Sequence, residues 1–273
     1  MSYFRVSRSI VLCCSAAIAW QFHAQSTTAG RPIWSGRSGS YAIEWSTANL
    51  KAKRLDNGRV VFDAAAEAKA AWAGFVRHSN GAPMKAQFTY RLLSAVGPYL
   101  SLEEATYCDC GGAHPTAVKR FRTVELERAS RETPHTLTEL FPERAVFTAL
   151  TADPVVAKAL GGAGPDTMAG LLDKLQDVNA RVKDCEYGFP DDLLSSFAFY
   201  DAEGGNASVR LGLPSAVEVC RGSLIQLGLS LPVPEARRAW FRNAKERKDG
   251  LFMVDAVGLG RNVATSFDYS QKR

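Results

Sequence analysis

A chain of 273 residues that is 46% apolar and 22% charged carries enough hydrophobic material for a packed core, which excludes a disordered or low-complexity protein. Its 33 basic and 28 acidic residues leave a formal charge of only +5. The basic residues are scattered, with small clusters at 51–54, 119–122 and 242–248 that read as solvated faces, so nucleic-acid binding is not expected.

The chain opens with Arg5 and Arg8 ahead of a ten-residue apolar run, 10–19, followed by the small-residue zone Ala24-Gln25-Ser26. This pattern predicts a secretory signal peptide over 1–24. Ten apolar residues cover about half of the roughly 20 that a hydrocarbon core requires, so no stable membrane span is expected after processing. Cys13 and Cys14 lie inside the run without the small residue and spacing of a lipidated cysteine. Loss of Arg5 and Arg8 leaves 31 basic against 28 acidic residues, a charge of +3. The product is expected to be periplasmic or secreted.

Residues 25–40 read as a flexible lead-in, 41–240 as one α+β domain and 241–273 as a C-terminal extension. Tyr41, Ile43 and Trp45 alternate with Ala42, Glu44 and Ser46, predicting a strand with a buried aromatic face. Asp63 is placed to cap a helix in which Ala68, Trp72, Phe75 and Val76 recur at helical spacing, and Ser79-Asn80-Gly81 stops it. Trp72 reads as core. Residues 90–126 then organise the chain. One strand-like arm carries Tyr90, Leu92, Leu93, Val96, Tyr99, Leu100 and Leu102, and a second carries Phe121, Thr123, Val124 and Leu126. Between them lies Cys108-Asp-Cys-Gly-Gly-Ala-His-Pro115, where Gly111 and Gly112 permit a tight bend and Pro115 removes a donor.

Thr136-x-x-Glu139 fits a capping box, broken by Pro142 after one turn. Asp153-Pro154 opens a further segment that the glycine run 161–164 ends; without Lys-Ser/Thr this run is a connector and no phosphate loop. Over 167–183, Met168, Leu171, Leu172, Leu175, Val178 and Val182 form an apolar stripe, predicting an amphipathic helix that covers the sheet. Alanine at Leu172 or Leu175 is then expected to cost about 2–5 kcal/mol. Strands follow at 193–200, 207–213, 217–220 and 223–231, with connections too short for crossovers, so the sheet is mostly antiparallel. A short helix begins at Pro234. The fold class is α+β, an antiparallel sheet covered by helices.

No catalytic constellation emerges. Ser35-Gly-Arg-Ser38-Gly resembles a nucleophile elbow but precedes a strand with no helix after it. His78, His114 and His135 form no metal-binding pair, and Asp191-Asp192 reads as a solvated turn and not as glycosidase carboxylates. Neither metal nor cofactor is expected. Cys108, Cys110, Cys185 and Cys220 remain in the processed chain, and an even count in an exported protein is first a disulfide count. A zinc site using Cys108, Cys110 and His114 is the weaker alternative, because Cys-x-Cys is not the usual zinc knuckle spacing. In an extended strand, residues two apart sit roughly 6.6 Å from each other, near the disulfide limit. Cys108 and Cys110 are therefore expected to bond to Cys185 and Cys220, not to each other.

The order Ser94-x-Val-Gly-Pro-x-Leu-Ser101, a strand, Gly111-Gly-Ala-His-Pro115, a second strand and then Leu137-Thr-Glu-Leu-Phe141 resembles the RsiV-like extracytoplasmic domain. Leu211-Gly-Leu-Pro214 through Leu231-Pro232 is similar to that family's closing strands. The likeness covers 41–240 and is strongest over 90–141. The family includes the sensor part of a lysozyme-binding anti-sigma factor and the non-catalytic N-terminal region of some peptidoglycan deacetylases. The resemblance implies a non-catalytic binding module of the bacterial cell envelope for a glycan or a cell-wall-directed protein such as lysozyme. Gly111, Gly112 and His114 form its candidate binding loop. The cysteines before the glycines depart from the family pattern, and a charge of +3 gives no bulk attraction to a basic partner such as lysozyme. The competing expectation is an enzyme with thiol redox or metal chemistry at Cys108 and Cys110.

Overall fold

The computed structural model describes residues 30–78, 83–111, 114–128, 135–162, 164–215, 220, 222–256 and 263–271. The expected signal peptide, the expected helix stop at 79–81, the expected strand residues 217–219 and Gly112 of the candidate loop lie outside these. The fold is mixed, with antiparallel sheets that curl into a half-barrel.

The chain begins with a four-stranded meander of β1 (Pro32–Ser38), β2 (Tyr41–Ser46), β3 (Leu50–Arg54) and β4 (Val60–Asp63). Residues 32–38, expected in a flexible lead-in, are thus paired with β2. Tyr41, Ile43 and Trp45 point inward as their alternation predicts. Asp63 ends β4 and caps α1 (Ala64–His78), accepting from the N–H groups of Ala65 at 3.0 Å and Ala66 at 3.3 Å. Burial pushes the Asp63 carboxyl up, but the Asn49 amide, the Ala66 N–H and Lys51 together hold it below the ordinary value.

Next come β5 (Met84–Val96), β6 (Tyr99–Asp109) and β7 (Thr116–Glu125), in the order β5-β6-β7. The first arm, read as one run, is therefore two strands folded back at Gly97-Pro98. Gly97 has φ +55°, and a Cβ there would stand 2.6 Å from the Trp240 ring. Proline cannot take positive φ, so of the two favoured two-residue hairpin turns only II′, which needs glycine at its first position alone, accommodates this pair.

Helices α2 (Leu137–Leu140), α3 (Glu143–Ala152), α4 (Pro154–Leu160) and α5 (Met168–Gln176) follow. The Thr136/Glu139 capping box is present, and Gly161 closes α4 in the left-handed region. Asp153 Oδ1 caps α4 through the N–H of Val155 at 2.8 Å, while its Oδ2 accepts from Gly228 N at 3.2 Å. The helix expected over 167–183 stops at Gln176. Residues beyond it form the hairpin β8 (Asn179–Val182) and β9 (Cys185–Gly188), turned at Lys183 with φ 56°. Val178 and Val182 matched the helical stripe, but β-branched residues suit the extended chain as well.

Helix α5 packs on α3 and α4, and α3 is the helix that lies on the following sheet, so the expected covering of the sheet by α5 is not what is found. Leu171 and Leu175 are fully buried, whereas Leu172 is half-buried. The two leucines should therefore separate in a thermal or urea melt. Leu175→Ala is expected to cost about 2 kcal/mol and Leu172→Ala about half of that or less. Equal losses would show that the helix is rotated from this packing.

The last sheet is β10 (Phe197–Glu203), β11 (Asn206–Pro214) and β12 (Leu224–Pro232), followed by α6 (Arg238–Lys245), β13 (Leu251–Phe252) and β14 (Thr265–Gln271). Residues 193–195, expected as strand, form a single 3-10 turn. Both β13 and β14 pair with β5, so the strands of 241–273 belong to the central sheet and are no loose extension.

The β5-β6-β7 sheet is the middle layer. One face, with Phe88, Tyr90, Leu92, Leu100 and Leu102, packs on the N-terminal meander and α1. Opposite it, Leu93 and Phe121 meet Ala198 of β10. Edge strands expose unpaired backbone groups, and here hydroxyls from the middle sheet satisfy those of β10. Thr123 Oγ1 donates to Phe197 O at 2.9 Å, and Ser101 Oγ accepts from Phe199 N at 3.0 Å. A second core, centred on Phe197, Phe199, Phe241 and Tyr99, fills the space under α2–α6. Thr265 at the start of β14 ties the layers, accepting from Trp45 Nε1 at 3.1 Å and donating to Ser46 O at 2.6 Å.

Candidate functional site

The expected disulfide pairing is corrected. Cys108 bonds to Cys110, and Cys185 to Cys220, with Cα separations of 5.3 and 5.9 Å. The 6.6 Å estimate assumed an extended chain at both ends, but β6 stops at Asp109 and Cys110 lies beyond it. Contracting there brings the pair inside the usual disulfide window. The two bridges differ in what they restrain. With a separation of 35 residues, Cys185–Cys220 removes chain entropy worth about 4 kcal/mol, whereas a separation of two removes only about 1–2 kcal/mol. Bonded to each other, Cys108 and Cys110 cannot serve as zinc thiolates.

The other candidates are placed as follows. Gly111 has φ +82°, and His114 is exposed at the bend before β7. His78 is exposed at the end of α1, its Nδ1 2.8 Å from Gly74 O. Ser35 and Ser38 lie in β1, where Ser38 Oγ donates to Gly97 O at 2.8 Å, so no nucleophile elbow forms. Asp191 and Asp192 are exposed in the turn before the 3-10 segment. His135 is buried, with Nδ1 2.6 Å from Glu139 and Nε2 against Glu125. It clamps α2 to the end of β7.

The register brings together a site that these motifs did not mark. Along the face covered by α1, Tyr90, Glu104 and Arg120 stand side by side across β5, β6 and β7; next to them stand Phe88, Thr106 and Val118. Phe75 of α1 stacks on Phe88 at 5.8 Å, and Trp72 stacks on Tyr269 at 5.7 Å. The result is a groove of about 250 Å³ between α1 and the sheet, with Phe75, Phe88 and Tyr90 on its wall and floor and Glu104 and Arg120 at its side. Val118 at its rim is 47% exposed. Two residues along β6 from Thr106 is Cys108, so the candidate Cys-Asp-Cys-Gly loop stands at the open end of this face.

A charge network supports the groove. Arg120 Nη2 is 2.9 Å from Glu104 Oε2, Arg122 Nη2 is 2.7 Å from Glu104 Oε1, and Arg122 also pairs with Glu67 of α1. Burial alone would lower the Arg122 pKa, but Glu104 and Glu67 outweigh it and hold the guanidinium cationic. Burial, then the Glu104 and Glu67 carboxylates, push the Tyr90 phenol above its ordinary value, so it remains a donor. Glu104 itself is 9% exposed, with Oε1 held by Arg122 and Oε2 by Arg120.

A larger groove of about 520 Å³ lies between α4 and the β8–β9 hairpin, lined in part by Lys158, Arg181 and Lys183. Arg181 is paired with Glu186, and the lining carries no aromatic side chain and no buried charge. It reads as a solvated basic surface. Among the described residues no cluster of three or more His, Cys, Asp or Glu side chains is arranged to hold a metal ion. No described helix is long and apolar enough to cross a membrane.

Set beside known proteins, the chain matches no family model, no curated protein and no solved structure.

Proposed function

We propose that this chain is an exported, non-catalytic binding module of the bacterial cell envelope, built as an RsiV-like domain over 41–240, and that the groove under α1 takes one ring of an envelope glycan. The observation that carries the reading is the set of aromatic rings Phe75, Phe88 and Tyr90 around the groove with the exposed Arg120 guanidinium, fixed by Glu104, at its side. Aromatic faces suit the C–H side of a sugar ring, while Arg120 and the Tyr90 hydroxyl suit its oxygens. A groove of about 250 Å³ takes a ring or a single side chain and not a protein surface, which favours a glycan over lysozyme. Two disulfides accord with an oxidising compartment outside the cytoplasm.

Co-sedimentation with purified peptidoglycan sacculi tests the proposal. The wild-type chain is expected to be retained, and Phe75→Ala and Arg120→Ala should each weaken retention about ten-fold, equivalent to roughly 1.4 kcal/mol. Gln87→Ala, on the opposite face of β5, should leave it unchanged. No retention of the wild type, or equal retention of all four chains, would overturn the glycan reading.

A further inference from the structure

We propose that Cys108–Cys110 is a thiol–disulfide exchange site whose substrate is a thiol, and that Cys185–Cys220 is the structural bridge. This goes beyond the binding reading and does not depend on it.

The two sulfurs sit in unlike surroundings. Cys108 is 3% exposed and held near the end of β6 between two partner strands, opposite Ala86 of β5 and Thr116 of β7. Cys110 is exposed and lies past the end of β6. Strand pairing on both sides therefore positions Cys108 whether or not the bond exists. The bridge spans a separation of two and joins no distant elements, so opening it removes no long-range tie. By contrast, Cys185–Cys220 joins the β8–β9 hairpin to the segment before β12. Exposed disulfides that do little to restrain the fold are the labile and reactive class.

The asymmetry sets the direction of attack. An incoming thiolate reaches the exposed Cys110 Sγ and forms a bond to it; the Cys108–Cys110 bond breaks, and its electron pair leaves on Cys108, which takes a proton from solvent. A second thiolate attacks the incoming sulfur of this mixed disulfide and releases Cys110 as a thiolate. The balance is two thiols oxidised to one disulfide and one protein disulfide reduced to a dithiol. In the reverse sense, Cys108 attacks a mixed disulfide at Cys110 and expels the thiol, and the short separation keeps it in reach.

The test is stepwise reduction of the mature chain with glutathione in one arm and a reduced cysteine-bearing peptide in the other, followed by alkylation and peptide mapping. The expected result is two alkyl groups, on Cys108 and Cys110, while Cys185–Cys220 stays intact and the near-UV circular dichroism is unchanged. Exchange with glutathione alone would identify a low-molecular-weight thiol as the substrate, and exchange in both arms a thiol borne by either source. In the presence of glutathione disulfide, Cys108→Ser should trap a mixed disulfide at Cys110, and Cys110→Ser should trap several-fold less at the buried Cys108. Opening of both bridges together with loss of tertiary signal, or no reaction at Cys110 in either arm, would overturn the proposal. The reduction and alkylation of the wild-type chain need no variant, so a Cys108→Ser chain that fails to fold leaves the test standing.

Discussion

Phe199→Ala is expected to cost about 4 kcal/mol. Phe199 is 1% exposed and its ring meets four others: Phe241 at 5.0 Å, Phe197 at 5.6 Å, Tyr99 at 6.0 Å and Phe141 at 6.2 Å. These come from β10, β6, α6 and the turn after α2, so no single element can collapse into the space left behind. Large-to-small changes cost most where the surroundings cannot close, and removal of a buried Phe falls at about 3–5 kcal/mol. Edge-to-face contacts with several rings are lost in addition. Urea unfolding at constant m-value checks the figure; a loss below about 1 kcal/mol would show that these rings do not share one core.

Arg122→Met is expected to cost about 3 kcal/mol for a different reason. It leaves Glu67 and Glu104 facing each other without the cation between them. Breaking a buried ion group by removing one partner costs about 3–5 kcal/mol, and the 21% of its side-chain surface that Arg122 keeps exposed places it at the low end. The cause is separable from lost packing against Phe62, whose ring lies 5.9 Å from the guanidinium carbon. Adding Glu67→Gln and Glu104→Gln to Arg122→Met should recover most of the loss, because no buried uncompensated charge then remains and Arg120, which loses Glu104, is exposed to solvent. A triple variant as unstable as the single one would assign the effect to packing.

Local chemistry made much of the fold legible. Asp63, Asp153 and the Thr136/Glu139 pair act as caps where short polar residues precede apolar runs, and Gly161 ends α4 because it accepts positive φ. The Gly97-Pro98 turn was hidden by its surroundings. From Leu92 to Leu102 the sheet is covered on both faces, so the alternation that would mark two strands gives way to a continuous apolar run. Helix and strand periods overlapped at Val178 and Val182, which let the helix run on into β8. The disulfide pairing turned on one residue, Cys110, leaving the strand. The groove could not be read along the chain at all, because Phe75, Phe88, Tyr90, Glu104 and Arg120 meet only through the register of three strands and the seating of α1. A partial signal existed in the opposite charges of 103–104 and 119–122, which a paired-strand reading sets face to face.

The most direct test of the groove as a glycan site is a titration of the isotope-labelled mature chain with soluble peptidoglycan fragments, followed residue by residue by nuclear magnetic resonance. The account predicts saturable shifts concentrated at Phe75, Phe88, Tyr90, Glu104, Thr106 and Arg120. Shifts confined to the basic groove around Lys158, Arg181 and Lys183, or no saturable shift at any concentration, would contradict it.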